Sequence, residues 1–302
     1  MKLSVNEIAF LSEAYREKTP LSIFANIGVR PDGSEKKSLE DKNIYLNGNL
    51  SPEAKMFDIA AKAERCARIA VKDSSCVVEK YVYRKGENRL LVENDAGELL
   101  FRMPEGWSDT LSELSEFTGI SRIKRGSFEV FLSQEQLMVL LAVIDIVRMN
   151  ALNSFIADSA GKGPVSYSDI VAHLGNPWKN SLVHMLKKNY NFSAPETGKI
   201  KSLLDVLSEK GCLTFEKGLL LQPEYALFAE GFLIPDAVVI MEAFSLDDQG
   251  AVISGSALGV CAGIKDIASF IFSPEGVEFS SISGMQLMQM VENFLNCPDI
   301  SG

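Results

Sequence analysis

Apolar and polar positions alternate along this chain in two rhythms, and the rhythms switch in an order that recurs. In the first part, Val5, Ile8, Ala9 and Leu11 fall on one face of a helix over residues 4–16, with Ser4 placed to cap it. Pro31 to Lys37 reads as a polar loop, and Ile44 to Leu46 as a short strand before an Asn47-Gly48 turn. Pro52 suits the first turn of a helix that the pattern carries to about Arg65. Strand-like runs follow at Cys66 to Val71, Val77 to Tyr83, Arg89 to Glu93 and Leu99 to Met103. Their turns fall at Lys85-Gly86-Glu87-Asn88 and Asn94-Asp95-Ala96-Gly97, and a helix near Ser108 to Phe117 closes the set.

The second part opens with a strongly apolar helix, Gln134 to Phe155, broken at Gly161-Lys162-Gly163-Pro164. Shorter helices are expected at Tyr167 to Leu174, Leu182 to Lys188 and Ile200 to Glu209, the first and last ended by Gly175 and Gly211. Strands are expected at Val238 to Phe244, Ala251 to Leu258, Ala268 to Phe272 and Val277 to Phe279, then a helix from Ser283 to Leu295.

The two parts share landmarks. Leu50-Ser51-Pro52-Glu53-Ala54-Lys55-Met56-Phe57 matches Leu221-Gln222-Pro223-Glu224-Tyr225-Ala226-Leu227-Phe228 at Leu, Pro, Glu and Phe. Leu3-Ser4-Val5-Asn6-Glu7-Ile8 likewise matches Leu132-Ser133-Gln134-Glu135-Gln136-Leu137. The expected fold is therefore α+β: two tandem diverged copies, over residues 1–121 and 130–302, each an antiparallel sheet flanked by helices. Ser166 to Leu221 adds a winged-helix-like segment to the second copy.

Apolar residues make up 46% and charged residues 23% of the 302, which supports a packed core. The longest apolar run, Leu137 to Val147, is too short to span a bilayer and carries Asp145. The N-terminus lacks a basic flank and an apolar signal core. The expectation is a cytoplasmic protein without a membrane segment. Net charge is −10, and residues 218–302 hold eleven acids against one base, Lys265. Such a C-terminal third repels phosphate backbones and suits a protein partner.

Chemical motifs are sparse. Cys66, Cys76, Cys212, Cys261 and Cys297 show no CxxC spacing and read as buried reduced thiols. With only His173 and His184 beside them, no metal or other cofactor is expected. No Gly-x-Ser-x-Gly elbow occurs, so no catalytic residue is assigned and the chain is not read as an enzyme. The small-residue stretch Gly255 to Gly263 lacks a P-loop ending and reads as a twisted strand. Glu53 and Glu224 sit where a helix N-terminus favours a negative charge. The winged-helix-like segment raises an alternative, a DNA-binding transcriptional regulator. Its third helix offers Lys201, Asp205, Glu209 and Lys210 but no Arg, so nucleic acid is not the expected partner.

The Leu3-Ser4-x-x-Glu7-Ile8 opening, the Ile44 to Phe57 stretch, the Arg-bearing run Arg65 to Val71 and the hairpin Gly86-Glu87-Asn88-Arg89-Leu90-Leu91-Val92 resemble EspG-type chaperones of the type VII (ESX) secretion system. That resemblance implies a pseudo-twofold duplication around a central antiparallel sheet. It also implies a cytosolic adaptor or chaperone that covers an apolar helical surface of a partner protein. The nearest equivalents of a partner-binding surface are Lys85, Gly86, Glu87 and Asn88, with Met285, Met288, Val291 and Leu295 on the last helix. Nothing in the sequence sets an oligomeric state.

Overall fold

In a computed structural model the chain is described over residues 1–25, 27–31, 33–46, 49–157, 163–215, 218–262 and 266–300. It divides into two compact units. The first comprises Met1–Leu114, Ile240–Ser256 and Gln289–Gly302; the second comprises Ser115–Val239 and Ala257–Met288.

In the first unit, strands β1 (Lys2–Leu3), β4 (Arg65–Lys72), β5 (Val77–Lys85), β6 (Asn88–Asp95) and β7 (Glu98–Arg102) are hydrogen-bonded in the order β1-β7-β6-β5-β4, continuing into β11 (Ala237–Leu246). The described pairings are antiparallel, with Cys66 opposite Tyr83, Val82 opposite Leu91 and Val92 opposite Phe101. Between β6 and β7, Ala96 and Gly97 both take positive φ, which lets a two-residue turn match the twist of its strands. Helix α3 (Lys55–Ala61) packs on β5 and β6. Phe57 meets Phe24 and Phe101 edge-on inside a core that also holds Leu3, Leu11 and Leu39.

Helix α1 (Val5–Ala14) opens with a reciprocal cap. The Glu7 amide donates to Ser4 Oγ at 3.2 Å, and the Ser4 amide donates to Glu7 Oε2 at 2.7 Å. Ser4→Ala is expected to lower stability by about 1 kcal/mol, read as a shift in the urea midpoint.

Two first-part expectations change. Residues 35–37, read as polar loop, open helix α2 (Glu35–Asp41). Its anchor is tertiary: Leu39 is fully buried, and the Ser38 hydroxyl and Lys42 ammonium donate to the buried Glu7 carboxylate. The Pro52 helix is also shorter than expected. A 3₁₀ turn over Pro52–Ala54 leads into α3, which stops at Ala61 because Arg65 is already paired with Arg84 in the sheet. The Asn47-Gly48 turn lies outside the described residues, as do positions 161–162 of the expected break and the Gly263 end of the small-residue stretch.

In the second unit, strands β12 (Val252–Ala262), β13 (Asp266–Ser273), β14 (Gly276–Ile282) and β8 (Glu129–Leu132) follow in that order. β8 ends the order, and the Lys210 ammonium donates to its Phe131 carbonyl at 3.1 Å. Helix α9 (Pro223–Gly231) supplies Tyr225 and Phe228 to a ring cluster with Phe128, Phe232, Phe270 and Phe279.

Helix α5 (Gln134–Ala157) has 24 residues and is long and apolar enough to cross a membrane by length and composition, beyond what the Leu137 to Val147 run suggested. Here its first half is an interior axle: Leu137 to Ile146 are buried, and α6 (Tyr167–Gly175), α7 (Leu182–Tyr190), α8 (Ile200–Glu209) and α9 all pack on it. A small hairpin, β9 (Leu213–Thr214) with β10 (Leu220–Leu221), follows α8, and Val165 bridges Leu219. Gly218 takes φ +96° there, and a Cβ on it would strike the Pro164 ring at 2.6 Å. Helix α4 (Ser108–Thr118) follows the first set of strands and α10 (Gly284–Leu295) the second. The fold class is thus mixed α+β, a large antiparallel sheet flanked by helices.

Candidate functional site

The hairpin of β5 and β6 ends in a two-residue turn, because Lys85 pairs with Asn88 and leaves only Gly86 and Glu87 between them. Gly86 has φ +56°, a region that glycine enters without a Cβ penalty. The turn is held from below. Arg84 Nε donates to the Gly86 carbonyl at 2.8 Å, the Gly86 amide donates to Glu64 Oε2 at 3.0 Å, and Lys85 pairs with Asp58. Above it, Gly86, Glu87 and Asn88 are exposed, with the Glu87 side chain 92% open to solvent.

The residues after α10 come to the same place in the first unit. Arg84 donates to the Asn296 carbonyl at 3.3 Å, Trp107 Nε1 donates to Asn296 Oδ1 at 3.0 Å, and Arg65 pairs with Asp299. The Cys297 thiol donates to the Val82 carbonyl at 3.5 Å. A rigid hairpin tip and a tethered tail therefore form one polar, solvent-facing surface. On α10 itself, Met285 is half-buried, whereas Met288, Val291 and Leu295 are buried within the chain. Gln286, Gln289, Glu292 and Asn293 are the exposed residues beside them.

A second constellation lies in the second unit, and pattern reading saw only part of it. Asp145, in the middle of α5 and fully buried, gathers four donors. The amides of Leu182 and Val183 reach it at 3.1 Å each, Arg148 at 3.1 Å and His173 Nε2 at 3.2 Å. Ser181 caps α7 at the same point by accepting the His184 amide at 3.0 Å. One carboxylate therefore fixes α5, α6 and the start of α7 together. Arg148 is 3% exposed, lies 5.9 Å over the Phe232 ring and donates to the Asn180 carbonyl at 2.7 Å. The signal was in the sequence: a lone acid inside an apolar helix needs buried donors.

Four of the five thiols are shielded by placement. Cys66, Cys212, Cys261 and Cys297 are buried, and burial pushes Cys261 and Cys297 up to about 12. Cys76 is exposed, which departs from the all-buried expectation; it sits between two short-loop strands with no core to enter. Among the described residues no group of three metal-ligating side chains converges. The lysines of the second unit are partly spoken for. Lys187 donates to the Leu174 carbonyl at 3.2 Å, Lys199 pairs with Glu135 at 3.3 Å, and Lys210 holds Phe131.

The helix-flanked antiparallel sheet is a fold already seen in another protein. Among solved structures, the chain is similar to that of the Mycobacterium tuberculosis type VII secretion system chaperone EspG5 in complex with the PE25-PPE41 dimer. The TM-score is 0.53 at 9% sequence identity, and the superposition covers 100% of this chain and 98% of that one. The likeness is one of fold. No protein-family model and no curated protein matches the chain by sequence.

Proposed function

We propose that this chain is a cytosolic protein-binding adaptor of the secretion-chaperone kind, which covers an apolar helical surface of a partner and performs no catalysis. The observation that carries the reading is end-to-end fold likeness to a chaperone whose structure contains a bound protein dimer. The acidic C-terminal third supports a protein guest over nucleic acid, as do the engaged lysines around α8.

A duplication underlies this scaffold in the same reading. A short hairpin, a Pro-led helix, four strands and a closing helix follow one another twice, through α3, β4 to β7 and α4, and through α9, β11 to β14 and α10. In each run the opening strand pairs with the last one, β1 with β7 and β8 with β14. The small three-helix segment with its hairpin, Val165 to Leu221, then sits in the second copy as a winged-helix-like insertion.

The proposed contact residues are Lys85, Gly86, Glu87 and Asn88 in the first unit and, separately, Met285 in the second. Met288, Val291 and Leu295 support α10 from inside and reach a guest only if that helix shifts. A photo-crosslinking residue at Glu87, in the full chain expressed in its own cells, is expected to give one discrete protein adduct. The same residue at Val77, the exposed start of β5, is expected to give none. Equal adducts at both positions, or none at Glu87, would remove the hairpin tip from the interface. Glu87→Arg with Asn88→Arg is expected to cut recovery of that partner about tenfold without moving the urea midpoint.

A further inference from the structure

A cleft of about 460 Å³ opens in the second unit between two helix stripes. Ile146, Met149, Asn150 and Asn153 line it from α5, and Asp169, Ala172 and His173 line it from α6, with Asn176 at that helix's C-cap. Both sets follow the i, i+3, i+4, i+7 spacing of a helix face. Val165 and Trp178 also line the cleft. The volume is that of an ordinary small-ligand site.

The polar groups of this cleft share one character. Among the described residues, the side-chain amides of Asn150, Asn153 and Asn176 find no hydrogen-bond partner. Asp169 adds a carboxylate, and among the described lining residues there is no Lys or Arg. His173 is 4% exposed. Its Nε2 lies 3.2 Å from Asp145, which also accepts from two amides and pairs with Arg148. Its Nδ1 is buried behind the wall, without a partner among the described residues. Trp178 is held for use as a platform: its carbonyl accepts from the Ser181 amide at 3.0 Å, one side of its ring meets His173 at 4.1 Å, and the rest stays open.

An aromatic face, a carboxylate, free amide oxygens and a short apolar lining match one kind of guest. We propose that this cleft binds an alkylammonium or guanidinium cation carried on an aliphatic arm. The cation would sit between Asp169 and the Trp178 ring, with the arm along Met149, Val165 and Ala172. Such a group belongs either to a free amine or to a Lys or Arg side chain of a polypeptide.

The test is a titration of the ¹⁵N-labelled full chain with spermidine, agmatine and Nα-acetyl-lysine N-methylamide. The Trp178 indole and Ala172 amide signals are expected to move and saturate with at least one probe. Asp169→Asn, on an exposed first turn, is expected to weaken that probe about fivefold. Trp178→Ala, followed at Ala172, is expected to do the same. Tighter spermidine binding identifies a free amine; tighter binding of the blocked lysine identifies a polypeptide side chain. Signals unmoved at about 10 mM of all three probes overturn the proposal, as does undiminished affinity in Asp169→Asn.

Discussion

Asp145→Ala is expected to destabilise the protein by about 3–5 kcal/mol. The carboxylate is fully buried and answers four donors from three helices. Its removal strands the Arg148 guanidinium, 3% exposed, beside the Phe232 ring with one carbonyl partner left. It also orphans the first two amides of α7, whose desolvation is then uncompensated. Urea denaturation followed by circular dichroism measures the loss. A second change, Arg148→Met, is expected to restore part of it, because the uncompensated charge leaves with the side chain. A loss below about 1 kcal/mol in Asp145→Ala would show that the four contacts are replaced by water.

Phe228→Ala is expected to cost about 3–5 kcal/mol. The side chain is fully buried and sits among rings: Phe232 stacked at 4.8 Å, Phe128 edge-on at 5.3 Å and Phe279 at 6.3 Å. The neighbouring backbone cannot close a void easily. Gly126 runs so near that a Cβ on it would lie 2.9 Å from the Phe228 Cβ and 2.7 Å from the Glu224 carbonyl. A drop in urea midpoint at unchanged slope is the expected signature. An unchanged midpoint would mean that α9 does not hold this core.

Periodicity made the strands and helices legible because burial enforces it locally. The β5 to β7 meander followed from alternating apolar positions and two glycine-bearing turns, and α8 from Leu204 and Leu207 at helical spacing. What escaped was held by distant partners. Residues 35–41 carry a polar pattern, and their helix depends on Leu39 entering the core and on Ser38 and Lys42 meeting Glu7. β1 has two residues, too few for alternation to register, and exists because β7 lies beside it. The hairpin tip was visible as a turn. Its ties to Glu64, Asp58 and Asn296 join residues far apart in the chain, which no local pattern reports. Met288, Val291 and Leu295 on α10 were read as part of a partner-binding surface; they are buried within the chain, which the helical pattern alone does not report. The α5 and α6 cleft needed two helix stripes to face each other, so neither stripe alone announced it.

The ends of the strand order bear on whether the sheet can be extended. One end is β1, only two residues long; at the other, the Lys210 ammonium already occupies the carbonyl of Phe131. Edges this short give an extended strand from another chain little ladder to join, so the sheet is poorly placed to grow by edge-to-edge addition.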